Sequence, residues 1–305
     1  MALPLIGFGT MEPIDKDPPQ TADVLEVAVK DALNTGYRHF DTAEMYLSTQ
    51  HVKNALSSFS DRSQLFITSK LKGLPSEDYN VVKQRTSNLL ANLGLQKLDL
   101  LLIHWPGPAD LDLSGSPEAI AEKASFEYFS KNIGAAWNNF LKLREDGLVS
   151  HIGVSNFYKQ HIEELLKHVE KPEDAPFANE IYIDLFHQEI EYVNYLQSKA
   201  IHVIAYRPIT FLPVCDFMED LLEPLNALRE KSGANSNQEL VLAWLMKRGI
   251  HVIPKSTSKE RIEANFAATS LVNNIDLADF SQFDGNEMVD MYGGQDEYAL
   301  AFKNT

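Results

Sequence analysis

A single cysteine, Cys215, leaves the chain without any internal disulfide. No CxxC pair or Cys/His cluster accompanies it, so a structural metal site of thiolates and imidazoles is excluded. Both absences point to a reducing compartment. Long apolar runs are missing too: none approaches the ~20 residues that cross a bilayer as a helix, and no membrane partner is expected. The opening MALPLIGFGT has no basic segment and is broken by Pro4, Gly7 and Gly9, so it does not read as a secretory leader. A cytoplasmic protein is expected. Positive charge is scarce, with 27 Lys+Arg against 43 Asp+Glu and a net charge of -16. Such a surface repels nucleic acid and keeps a protein dispersed. One last absence bears on the fold. A doubly wound dinucleotide-binding sheet opens on G-x-G-x-x-G, but GFGTME has Glu12 where the third glycine belongs.

What is present is alternation. Short β-rich runs exchange with longer segments whose apolar residues recur three and four apart, the pattern of βα units around a parallel sheet. The candidate strands are residues 5–8, 38–41, 65–69, 98–103, 150–154, 178–181, 203–206 and 250–253. LDLLLIHW and HVIAY are nearly continuous apolar runs, as befits strands covered on both faces. The spacing predicts helices over 22–33, 77–93, 135–144, 160–169, 192–200 and 237–247, several followed by glycine stops such as Gly94 and Gly249. No linker divides the chain, so residues 1–305 read as one domain, a (β/α)8 TIM barrel. The stretch 107–133 is too long for an ordinary βα loop and holds Phe126, Tyr128 and Phe129, which read either as an aromatic wall or as the apolar anchors of a surface helix.

In such a barrel function gathers at the C-terminal strand ends, so polar residues there carry more weight than polar residues elsewhere. Asp41 ends RHFD, Lys70 follows LFITS, His104 follows LDLLLI, Ser155 and Asn156 follow HIGV, and Glu180 sits in FANEI. Tyr206 ends HVIAY and Lys255 follows HVIP, while Tyr46 stands five residues beyond Asp41. Taken singly, each has a structural reading: an ion pair for Asp41 and Lys70, packed rings for Tyr46 and His104.

The runs GYRHFDTAEMY, LFITSKL, LDLLLIHWP, HIGVSNF, VIAYRP and VIPKSTSKERIEANF, in that order, resemble the aldo-keto reductases from residue 5 to about 290. The resemblance implies a catalytic tetrad of Asp41, Tyr46, Lys70 and His104. A free phenol has a pKa near ~10. Lys70 would favour the phenolate, Asp41 would hold Lys70 charged, and His104 would orient a substrate carbonyl while Tyr46 donates the proton. It also implies NADP(H) as cofactor and a small carbonyl or alcohol as substrate. Thr10, Asp41, Ser155, Asn156 and Glu180 would line the nicotinamide, with Tyr206 stacking on its ring. Lys255, Ser256 and Arg261 would take the 2′-phosphate, and Asn265 the adenine. Thr257 and Glu260 are spaced as a capping box that would start a helix pointing at that phosphate.

Three residues depart from the family pattern. Glu180 stands where Gln is usual, Met11 where many members carry Trp, and Arg207 where a small residue follows the stacking Tyr. Met11, Tyr46, Trp105, Tyr128, Phe211 and the tail around Tyr298 and Phe302 are expected to shape the substrate pocket. A cofactor-sensing module acting through a protein partner is the alternative, against which the intact tetrad argues.

Overall fold

The computed structural model describes residues 2–11, 22–111, 120, 122–210, 212–285 and 303. The strands are β1 (Phe8–Gly9), β2 (His39–Asp41), β3 (Phe66–Leu71), β4 (Leu98–Ile103), β5 (Val149–Ser155), β6 (Ala178–Tyr182), β7 (His202–Tyr206) and β8 (Ile250–Val252). They pair in parallel in chain order. A bridge between Ile6 and Val252 joins the last strand to the first, with Gly7 N donating to Val252 O at 2.8 Å and Val252 N to Leu5 O at 2.9 Å. This is the expected (β/α)8 barrel.

Because side chains alternate along a strand, each strand serves two cores. On β4, Leu101 and Ile103 pack outward against the helices, whereas Leu100 and Leu102 join Phe66, Ala178, Ile204 and Ile253 inside the barrel. That parity, carried upward, turns Asp41, Lys70, Ser155, Glu180 and Tyr206 toward the barrel interior at the C-terminal ends. Gly153 has the same parity, and a Cβ there would meet Ala178 O at 2.5 Å, so only glycine lets β5 and β6 approach.

The helices are α1 (Ala22–Thr35), α2 (Thr49–Ser57), α3 (Tyr79–Leu93), α4 (Phe126–Glu145), α5 (Lys159–Leu166), α6 (Ile190–Ser198), α7 (Glu219–Ser232), α8 (Asn237–Lys247) and α9 (Lys259–Ala267). Helix α2 lies outside the spans that spacing predicts, and two further helices differ from expectation. Helix α4 starts well before residue 135, capped by the Ser125 hydroxyl, which accepts from Tyr128 N at 3.4 Å. Of the two readings of 107–133 the helical one holds: the aromatic residues fall in the first turn of a helix, whose stripe Phe129, Ile133, Trp137 and Phe140 is buried. Gly134 sits inside the helix, where a Cβ would meet the His168 ring at 2.9 Å. Helix α7 carries Pro224 in its interior, which hides it from a periodicity reading.

Candidate active site

Lys70 is the centre of the inward-facing set. Its Nζ donates to Asp41 Oδ1 at 2.5 Å and to the Thr42 carbonyl at 3.2 Å, and stands 3.1 Å from Glu180 Oε1. The Lys70, Asp41 and Glu180 side chains are all buried. Burial works against the Lys70 ammonium, but Asp41 and Glu180 raise its pKa and hold it charged. Burial raises both carboxyl groups above their usual range, and Lys70 opposes the rise in each.

The segment after β2 delivers Tyr46 to this cation. It continues alongside β3 through Thr42 N to Thr68 O and Glu44 N to Lys70 O, then turns with Tyr46 N donating to Ala43 O at 3.1 Å. The Tyr46 ring lies 5.4 Å from Lys70 Nζ, with the His104 ring 5.9 Å beyond it, edge to face. Burial pushes the Tyr46 phenol up; Lys70 pulls it down, and Asp41 and Glu180 add to the rise. The expected lowering by Lys70 thus operates but does not win, because burial outweighs it and the two acids oppose it as well. His104 is pushed well below the usual imidazole range by burial and then by Lys70, so it is neutral. Its buried Nδ1 has no partner among the described residues.

Asn156 ties four strands together. Its backbone N donates to Glu180 O at 2.9 Å, its Nδ2 to the His104 carbonyl at 2.9 Å, and its Oδ1 accepts from the Tyr206 hydroxyl at 2.9 Å. It does so with φ of 59°, a left-handed conformation that asparagine tolerates better than most residues. Ser155 Oγ donates to the Glu180 carbonyl at 2.9 Å, and Thr10 Oγ1 to the Asp41 carbonyl at 2.8 Å. These residues, expected to line a nicotinamide, thus brace one another at the barrel mouth.

Lys255, Ser256 and Arg261 come together after β8, with Arg261 Nε donating to Ser256 Oγ at 3.2 Å. The cap of α9 is a correction. Ser258, not Thr257, is the N-cap, accepting from Arg261 N at 3.3 Å, and Glu260 accepts from the Ser258 hydroxyl at 2.6 Å. Neighbouring Thr257 and Ser258 both suit a cap, and the turn held by Ser258 N to Ser256 Oγ at 3.1 Å selects the second. Asn265 is buried on the same helix.

Trp105 is buried against His104, ring centroids 5.0 Å apart, with Nε1 donating to Pro108 O at 3.1 Å. Met11 is exposed. Tyr128 is half-buried near Ser76 and Asp110. Phe211, Tyr298 and Phe302 lie outside the described residues. Sequence reasoning missed Glu44, which accepts from Lys72 N at 2.9 Å and pairs with Arg85 at 2.8 Å, pinning the segment that carries Tyr46. Its only signal is its place inside DTAEMY. Among the described residues no group of acidic, histidine or cysteine side chains is set to hold a metal ion.

The profile of the aldo/keto reductase family matches residues 5–286. An aldose reductase of Encephalitozoon cuniculi is 32% identical over 291 residues, 92% of this chain and 87% of that protein. An aldehyde reductase of Saccharomyces cerevisiae is 30% identical over 279 residues, 88% and 84% of the two chains. Among solved structures, a Bombyx mori aldo-keto reductase in complex with NADP superposes with a TM-score of 0.76 at 26% identity, covering 97% of this chain and 95% of that one. The chain belongs to the aldo/keto reductase family.

Proposed function

We propose that the chain is a single-domain NADP(H)-dependent oxidoreductase acting on the carbonyl or alcohol carbon of a small organic molecule, with Tyr46 as the proton donor in reduction. The carrying observation is the buried cluster in which Lys70 contacts Asp41 and underlies the Tyr46 ring, with a neutral His104 beside it.

The residues fit a phosphorylated dinucleotide. Lys255, Ser256 and Arg261 form a cationic, hydroxyl-bearing cluster at the N-terminus of α9, where the helix end also favours an anion. At the other end of the mouth, Ser155 and Asn156 offer amide and hydroxyl groups beside Tyr206. Asn156 Oδ1 keeps a second lone pair for a carboxamide. Bound there, the cofactor supplies the hydride.

The chain's own groups do the rest. His104, being neutral, donates one hydrogen bond to a carbonyl oxygen and orients it. Tyr46 gives that oxygen its proton as negative charge develops, and Lys70 stabilises the phenolate left behind. Carbonyl, hydride and proton sum to the alcohol, and the reverse direction runs through the same groups. One cysteine and a large acidic excess suit a reducing, cytoplasmic setting. Following NADPH absorbance with a panel of aldehydes and ketones tests the proposal. Cofactor oxidation dependent on the carbonyl is expected; tight NADPH binding with no turnover of any carbonyl would instead mark a cofactor sensor.

A further inference from the structure

Glu180 replaces an amide, and its carboxyl group meets Lys70 rather than open space at the mouth. The ammonium stands between two acids, 2.5 Å from Asp41 Oδ1 and 3.1 Å from Glu180 Oε1, with all three side chains at most 4% exposed. Were both acids ionised, the cluster would bury a net negative charge. Among the described residues the remaining oxygens, Asp41 Oδ2 and Glu180 Oε2, are buried and find no hydrogen-bond donor. Two carboxylates cannot satisfy each other, because each only accepts; one proton between them supplies the missing donor. The two carboxyl groups are within hydrogen-bonding reach of one another.

The distances decide which acid keeps the proton. Asp41 is nearer the ammonium and remains the anion, whereas Glu180 has the longer contact. Of the other titratable groups near Lys70, Tyr46, after β2, has no cationic form, and burial keeps His39, on β2, and His104, after β4, neutral, so none supplies a compensating cation. On its β5 side Glu180 meets Ser155 and Asn156, which are uncharged and hold its backbone carbonyl.

We propose that Glu180 is kept as the neutral acid, its hydroxyl donating to Asp41, and that as a positioning residue it leaves the charge of Lys70 available to Tyr46. Burial and the negative charge of Asp41 both favour the neutral form. With Glu180 protonated, one carboxylate faces one ammonium. When Glu180 loses its proton to solvent at higher pH, a second negative charge acts on the phenol, and the phenolate that reduction must leave is destabilised. A loss of reductive rate of roughly tenfold is expected, the effect of about one pKa unit on Tyr46. This consequence rests on the proton-donor role of Tyr46 proposed above; the protonation state of Glu180 does not.

The test begins with the cofactor-free protein. Infrared difference spectra of wild type and Glu180→Gln at neutral pH are expected to show one carboxylic-acid carbonyl stretch, shifted in D2O and absent from the variant. Selective 13C labelling of glutamate carboxyls in wild type assigns the same band if the variant does not fold. No such band at neutral pH, or a band surviving Glu180→Gln, overturns the proposal. Single-turnover reduction is then followed against pH. The amide introduced by Glu180→Gln cannot ionise yet still donates an N–H toward Asp41, so the alkaline fall of wild type should vanish in the variant. A fall common to both proteins overturns the positioning role, and Tyr46→Phe, measured in parallel, reports separately on the proton donor.

Discussion

Tyr46 has a half-buried ring held over Lys70. Tyr46→Phe keeps the ring and deletes one oxygen, so fold and NADP(H) binding should survive. General acid catalysis contributes ~100- to 10,000-fold, and turnover should fall by about that factor. Single-turnover hydride transfer with cofactor pre-bound measures it; a variant within a factor of about two of wild type, at a step with a deuterium isotope effect, would remove Tyr46 from the mechanism. Lys70→Met should lose turnover too, but with a different signature. It strips the cation from Asp41 and Glu180, so one carboxylate is left buried without its partner, and breaking such a pair costs about 3–5 kcal/mol. Chemical denaturation should show that loss in Lys70→Met and not in Tyr46→Phe. Equal stability of the two variants would mean that water enters the cluster and replaces the cation.

Helix α9 owes its place at the barrel mouth to the turn of Ser256 and Ser258, which aims its N-terminus and Arg261 at one spot. Arg261→Ala should weaken NADP(H) by about 1.5–3 kcal/mol, the worth of a charge-assisted contact, and leave NAD(H) nearly unchanged. Fluorescence titration with both cofactors checks this, and a variant that loses both equally would move the phosphate site elsewhere. How far such elements are readable varies with the locality of their cause. LDLLLI declares β4 because burial on both faces selects a continuous apolar run, and Asp41 and Tyr46 are legible through the run GYRHFDTAEMY, which carries the family resemblance. The start of α4 is not, since the spacing predicts that helix only from residue 135, past Gly134, whose missing side chain makes room for the His168 ring. The Ser258 cap is masked by the neighbouring Thr257, equally suited by type. Least legible is the contact of Glu180 with Lys70. It spans the barrel from β6 to β3, and no local pattern records the distance across a closed sheet.

The barrel's opposite end couples its fold to pH. Inward parity on β2, β5, β7 and β8 places His39, His151, His202 and His251 at the N-terminal floor, where they interleave with Phe66 and Phe177. Successive ring centroids from His39 through Phe66, His151, Phe177 and His202 to His251 are 5.4, 6.5, 4.1, 4.7 and 5.2 Å apart. Burial depresses His39 to about 3, with the charges of His251 and Lys70 adding to it. Burial likewise takes His251 to about 4, and His161, under α4, to about 4. In the unfolded chain these imidazoles take up protons near pH ~6.5. Below that pH the unfolded state binds more protons than the folded one, so stability falls on acidification until the folded values are reached. Each such histidine contributes a slope of about 1.4 kcal/mol per pH unit. Asp41 and Glu180, raised on folding, act in the opposite sense, since their contribution is greatest at low pH and is lost as pH rises. The depressed set, which also includes His104, outnumbers them. Urea denaturation of the cofactor-free protein at intervals between pH 7 and 4 should therefore show a steep loss beginning near pH ~6.5. His39→Leu removes one of these groups at the floor. It should cost stability at neutral pH through the lost contact to Thr68, 2.9 Å away, yet flatten the acid slope by about one proton. A stability independent of pH across this window, or a slope unchanged by His39→Leu, would show that the floor opens to water and that its imidazoles titrate freely.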